Sequence, residues 1–587
     1  MEKWNLDEYY VNNKDWFNDL ETLKSFIPKL ASYQGKLNNY DDFSSFYKLD
    51  DESTKLFYRL YGFTSLSSDL NLKDEEKASM KQQIMIVVNE ISQKTAWASP
   101  EVLSLGYDKV MEFLNRDVDL QQHIFPTEKL FKQQKHVLNQ EQEQILANFA
   151  STSNIPSSLY QAISIIDANN ETVTLDDGSA IEVSPASYRS QIANAKTAND
   201  RRLIFEAAFK RYADNKTAFA NVYNLVLQQK AANYKSRNYE SALDAALFAN
   251  DIPTSVFHNL KDVAYENTDA IKKYLKLRKD YLKLDEYHTY DRFMNLTEDN
   301  TVYDYATSKK LFFDSLEGLD QEFIDMQKEA LAEGYVDVLP GDGKRTGAYS
   351  MSLYGFHPYI LLNHDNTLDS VFTLAHEAGH SAHSLFSSQE QPMAISRYTI
   401  FVAEIASTFN EHVLLDHLLK NATTKDQKIA LLQSAIDGIM GTFFRQTLFA
   451  TYEYEASELV RKGAPIDATV LSNIMIDLYK KYYDLDITKE KGKQYIWAYI
   501  PHLFHTPFYV YQYATSYSAS LKIYENIKSG DKDAFTNYKA MLRSGGSDYP
   551  VNQAKLAGAD LTNKETFLAV INRFNYLVDE LEKALTE

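Results

Sequence analysis

His376, Glu377 and His380 stand in the order H-E-x-x-H inside Ala375–Ser381. On a helix the two histidines lie one turn apart on one face. Two imidazoles so placed can bind one Zn²⁺. Glu377 would lie beside the ion, where it can take a proton from a metal-bound water. The motif supplies two ligands and needs a third. The chain contains no cysteine, so thiolates are excluded and the third ligand must be His, Asp or Glu. The metzincin extension is absent, because His383 and Phe386 stand where its Gly and His belong. Glu404 is the candidate carboxylate. It is flanked by Val402, Ala403, Ile405 and Ala406, a setting in which an unpaired charge is costly. Glu411 follows two turns later on the same face and could accept the free N–H of a ligating imidazole. His383 reads as a neighbour of the ligands, and His412 and His417 read as helix-surface residues.

A second group with chemical potential lies in Tyr499–Ser520. Thr506-Pro507 reads as a helix start, with Thr as cap and Pro in the first turn. Tyr509, Tyr513 and Tyr517 then fall on one face. Peptide hydrolysis at a metal builds an oxyanion that needs hydrogen-bond donors, and a Tyr hydroxyl or a protonated His can supply them. Ordinary aromatic packing competes with this reading in a chain of 41 tyrosines.

Helices must hold these groups. Apolar residues at three- and four-residue spacing predict helices over Leu20–Leu30, Phe43–Tyr61, Asp74–Ser92, Asp200–Tyr212, Asp269–Leu282 and Ser308–Leu331. Glu128–Phe149 reads as one long, solvated helix. Thr172–Val183 carries a hairpin signal around Asp-Asp-Gly. A domain boundary is expected near residues 185–200. The glycine-dense stretch 337–350 ends helical periodicity, and Pro358–Asn363 suits a strand whose free edge could receive an extended peptide.

The 587 residues are enough for a large core, and a net charge of -20 argues against nucleic acid or an anionic membrane as partner. The polar start Met1–Tyr10 is no secretory signal, and no run of about 18 apolar residues predicts a membrane span. A cytoplasmic protein with no obligate protein partner is expected.

Six stretches together resemble the M3 family of zinc metallopeptidases, most closely its oligoendopeptidase F branch. They are Gly343–Ser350, His357–Ile360, Thr367–Ser381, Ala403–Glu411, Thr506–Ala514 and Ser544–Asp548. The resemblance implies a mainly α, two-lobed fold enclosing a deep channel, with a small sheet beside the H-E-x-x-H helix. It implies an N-terminal helical domain over residues 1–190 and a catalytic domain over 191–587. His376, His380 and Glu404 match the family's zinc ligands and Glu377 its general base. His502, Tyr509 and Tyr513 match its substrate and oxyanion donors, with His505 and Tyr517 as competing positions. Gly347, Tyr349 and His357, with His505 and Tyr517, are expected to face substrate. The implied activity is zinc-dependent hydrolysis of internal bonds in short peptides. A zinc carboxypeptidase of related build remains a rival, as does a peptide-binding homologue that has lost catalysis. The intact Glu377 argues against the second.

Overall fold

From Trp16 to Ile27 the apolar residues recur at helical spacing, and that stripe is the buried face of the helix Asn13–Ala31 in the computed structural model. Asn12 caps this helix by accepting from the Asp15 amide at 3.1 Å. Trp16, Leu20 and Leu23 pack against Leu60, Phe63 and Leu66 of Tyr40–Leu70 and against Met80, Ile84 and Val87 of Glu75–Thr95. The core continues into Tyr359 of the sheet beside the H-E-x-x-H helix. Trp4 fastens the same sheet, its indole N–H donating to the carbonyls of Tyr335 (3.1 Å) and Ile360 (2.8 Å). The N-terminal helices therefore buttress the floor of the metal-ligand region.

The structure describes residues 2–149, 152–298 and 301–586. Helices dominate. The strands form a hairpin, Glu171–Thr174 with Ala180–Val183, and a three-stranded sheet. In that sheet Tyr359–Leu361 is central, parallel to Val336–Asp337 and antiparallel to Tyr349–Met351, with Ser350 opposite Ile360. Two packing units are interleaved along the chain. One takes residues up to 135, 301–418 and 523–559, and the other takes 136–300, 419–522 and 560 onward. This partition differs from a cut near residue 190. Among the described residues no helix is long and apolar enough to cross a membrane.

Three expectations are corrected. Glu128–Phe149 is not one helix: Ile124–Gln133 and Gln140–Phe149 are separated by a 3₁₀ turn and an extended stretch. The His136 ring stacks on Tyr239 at 3.7 Å and its carbonyl accepts from Arg237 at 3.1 Å, which pulls the chain out of helical register. Ser308–Leu331 divides into Tyr305–Ser315 and Gln321–Ala330, because Gly318 turns at φ +86° and Asp320 caps the second helix. The strand Tyr359–Leu361 has neighbours on both sides, so the edge strand of the sheet on the other flank is Tyr349–Met351.

Candidate metal centre and active site

The helix Leu368–Glu390 carries H-E-x-x-H, and Thr367 caps it by accepting from the Ser370 amide at 3.3 Å. Val371, Leu374, Ala375, Ala378, Ala382 and Phe386 are buried, which fixes the helix's rotation about its axis. That rotation leaves His376 and His380 with side chains 26% and 18% exposed. The helix Ile400–Asn421 crosses it in close contact. A methyl group on Gly379 would sit 2.5 Å from the Ala406 carbonyl oxygen and 2.6 Å from Ser407 Cα, so only glycine admits the approach. Asn410 ties the same pair of helices, its amide donating to the Ala375 carbonyl at 2.9 Å and to Gln327 Oε1 at 3.0 Å.

That crossing brings three donor atoms together. His376 Nε2 lies 3.3 Å from Glu404 Oε2, His380 Nε2 lies 3.4 Å from the same oxygen, and the two imidazole nitrogens are 3.2 Å apart. Tetrahedral ligands at about 2.0–2.1 Å from a zinc ion stand roughly 3.3–3.4 Å from one another. The donor triangle therefore has the size and the chemistry of a zinc site. Glu411 accepts the Nδ1–H of His376 at 2.5 Å, which turns the Nε2 lone pair toward the triangle. Ser407 donates to Glu404 Oε2 at 3.0 Å.

The electrostatics follow from these neighbours. Burial works to raise the Glu404 carboxyl, but the two histidines outweigh it and hold the group far below the usual carboxylate range. Glu377 is only 6% exposed, and burial lifts its carboxyl above the ordinary range against the pull of His376 and His380. Its Oε2 is buried without a hydrogen-bond partner among the described residues. A buried carboxylate oxygen left uncommitted beside three metal-type donors is suited to proton transfer.

His383 does not join the triangle. Its ring stacks on Tyr398 at 3.6 Å and burial pushes its pKa down to about 3, so it is neutral packing. Tyr398 in turn donates to the His380 carbonyl at 3.3 Å. His412 is buried, 5.8 Å from the Tyr524 ring, and not a surface residue. The helix Ile400–Asn421 is apolar on more than one face, which sequence spacing alone did not reveal.

A cavity of about 480 Å³ opens beside the triangle. Its lining includes Glu377, Tyr349, Ser350, Tyr354, Arg397 and Tyr398. Tyr349 reaches it from the edge strand, its hydroxyl donating to Asp69 at 2.8 Å. Gly347 precedes that strand at φ +82°, its carbonyl accepting from Asn363 at 2.7 Å. His357 stands apart from the cavity lining. It stacks on Tyr335 at 3.6 Å, with its two ring nitrogens against the carbonyls of Pro358 and Glu329.

The second group belongs to the other packing unit. Thr506-Pro507 does not start a helix. His502–His505 is one turn, and the long helix runs Tyr511–Lys528. Between them Phe508 takes φ +60°, a left-handed conformation costly for a residue with a side chain. Glu453, 2% exposed, holds it there by accepting the Phe508 amide at 2.7 Å. The turn gathers His502, Tyr509 and Tyr513. The His502 and Tyr509 rings lie 5.8 Å apart and nearly parallel, and Tyr513 meets them edge-on at 6.2 and 5.4 Å. His505 faces elsewhere, toward Ser157 Oγ and the edge of the Tyr160 ring at 5.2 Å. Tyr517 sits half-buried one turn after Tyr513.

Sequence reading missed Gly379, Asn410 and Glu453. A glycine inside a helix costs about 1 kcal/mol against alanine and so signals a close approach. Neither Asn410 nor Glu453 carries a comparable local mark.

The chain matches the model of peptidase family M3 over residues 191–573 and that of oligopeptidase F over 101–168. It is 32% identical to the oligopeptidase PepF of Bacillus subtilis (strain 168), over 99% of this chain and 87% of that protein. It is 31% identical to an oligoendopeptidase F homolog of Borreliella burgdorferi, over 99% and 98%. The crystal structure of oligoendopeptidase-F from Enterococcus faecium superposes with a TM-score of 0.77 at 25% identity, covering 98% of this chain and 99% of that one.

Proposed function

The chain belongs to peptidase family M3 and is an oligopeptide endopeptidase of the metal-dependent kind, and from that premise we propose zinc as its ion and name the residues that carry the reaction. The observation that carries the assignment is the triangle of His376 Nε2, His380 Nε2 and Glu404 Oε2, with all three edges between 3.2 and 3.4 Å. These three side chains would hold the ion, with Glu411 fixing the tautomer of His376. Zinc held there supplies Lewis acidity toward the scissile carbonyl and the attacking water. Glu377 takes the proton of that water on its uncommitted oxygen and passes it to the leaving amine. No covalent bond to the protein forms. His502, Tyr509 and Tyr513 are assigned as hydrogen-bond donors to the oxyanion, on the strength of the family likeness of their segment and their gathering at one turn. Tyr349 and Gly347 border the peptide's path at the edge strand, whereas the surroundings of His357 and His505 speak for packing.

The test is mass spectrometry of an end-blocked, internally quenched peptide incubated with wild type and with Glu377→Gln. Internal cleavage by the wild type, abolished by chelation and restored by zinc, is expected. The variant should keep its zinc by metal analysis and lose at least about 100-fold in kcat, the usual worth of a general base. Unchanged kcat in Glu377→Gln removes Glu377 from the mechanism, and trimming from a free end alone removes the endopeptidase reading.

A further inference from the structure

Four cations gather in the unit that holds His502, and they do so in a chain whose net charge is -20. Lys493 is 4% exposed, its ammonium 5.2 Å from the centre of the Phe209 ring and 5.3 Å from that of Tyr479. Phe209 packs 5.7 Å from Tyr499, whose hydroxyl accepts from Arg189 at 3.3 Å and lies 3.5 Å from the Tyr188 hydroxyl. The Tyr188 ring meets Phe293 edge-on at 5.9 Å, and the Arg292 guanidinium covers Phe293 at 4.5 Å. Arg445 completes the group, with Arg292 and Arg189 as its charged neighbours and Tyr483 and Tyr479 as its polar ones.

The charge is only partly compensated, Glu490 offsetting some of that on Lys493. Among the described residues none of the four cations is in an ion pair with a carboxylate. The acidic neighbour of Lys493 is Glu490, whose charge works to hold the ammonium while its oxygens accept from the amide (2.7 Å) and hydroxyl of Thr289 and one of them stands 3.8 Å from His288 Nδ1, so no carboxylate is left over for the three arginines. Like charges brought together in partial burial repel and lose hydration, a cost that a stable fold avoids unless an anion offsets it. Burial, with Arg292 and Arg445 beside it, pulls the Lys493 ammonium down to about 7, which is the same strain seen from one residue. Arg189 is exposed, Arg292 and Arg445 are half-buried, and Lys493 is buried, so the group grades from solvent inward. Planar guanidinium groups beside tyrosine hydroxyls are suited to a small oxyanion.

We propose that Arg189, Arg292, Arg445 and Lys493 form a binding site for a compact oxyanion, supplied either as the terminal carboxylate of a peptide or as free phosphate. The carboxylate source rests on the peptidase reading above, and the phosphate source does not.

The test uses the zinc-loaded full chain, with Arg292→Met, Arg445→Met and the exposed Arg189→Gln checked for wild-type circular dichroism. Inorganic phosphate is titrated by calorimetry at fixed ionic strength. In parallel, kcat/KM is measured for one peptide as free acid and as C-terminal amide. Phosphate binding that weakens roughly tenfold or more in the variants, with the acid-to-amide ratio unmoved, identifies free phosphate. A wild-type preference for the free acid that collapses in the variants identifies the peptide carboxylate. Absence of phosphate binding together with an acid-to-amide ratio that no variant changes overturns the site. A wild type that cleaves no peptide defeats the peptidase reading, while the phosphate titration still decides this one.

Discussion

Glu411 stands behind the proposed metal centre, bonded to His376 Nδ1 and outside the donor triangle. Its carboxylate fixes which nitrogen of His376 faces the triangle. Replacing it by alanine leaves three ligands in sequence and one of them free to rotate or change tautomer. Zinc affinity in Glu411→Ala should fall about 10- to 100-fold, read by competition with a chromogenic chelator, with secondary structure retained. Affinity equal to wild type would show that the His376 ring is held by packing alone. At this scale the gathering of the three donors was legible in the sequence. His376, Glu377 and His380 are local in the chain, and Glu404 betrayed itself as a lone charge among Val402, Ala403, Ile405 and Ala406. The Tyr/His group was legible only as a list, because φ +60° at Phe508 decides which members meet, and no residue type there announces it.

At the scale of elements, two contacts position the groups proposed to carry chemistry. Gly379→Ala forces a methyl into backbone 2.5 Å away, so the two ligand-bearing helices must part. A loss of about 1–3 kcal/mol in stability is expected from overpacking, together with weakened zinc binding, measured by denaturant melts with and without chelator. Stability lost with zinc affinity unchanged would mean that the helices adjust elsewhere. Glu453 makes a prediction about pH. Burial raises its carboxyl from 4.5 to about 8 in the folded chain. The native state thus keeps a proton that the unfolded chain releases, and stability falls as pH rises from the unfolded value through the folded one. Glu453→Gln keeps an acceptor for the Phe508 amide and removes that titration. The variant should gain on the wild type by up to a few kcal/mol between pH 5 and pH 8, and an equal difference at both pH values would refute the assignment. Helix breaks at 134–139 and 316–320 escaped sequence reading for a related reason. The first is fixed by Arg237 and Tyr239, about a hundred residues away in sequence.

For the whole molecule, apolar periodicity marked individual helices and the family resemblance implied the mainly α fold, while the small sheet was half-legible, its central strand read as an edge. The interleaving of the two packing units was invisible, since each is assembled from segments far apart in the chain. Metal removal acts at this scale. An ion that binds only the folded chain adds about 4 kcal/mol at a thousandfold excess over its dissociation constant. Chelated protein should therefore melt several degrees lower in calorimetry, and identical melting would place the ion outside the folding equilibrium. The crossing at Gly379 also bears on which ion that is. It clamps the helices so that the donors stand 3.2–3.4 Å apart. Calcium takes about six to eight oxygen ligands, whereas this clamped set offers two imidazole nitrogens and one carboxylate oxygen, a small mixed set that suits zinc. A missing side chain deep in a helix contact thereby sets how close the donor-bearing helices come, before any metal arrives.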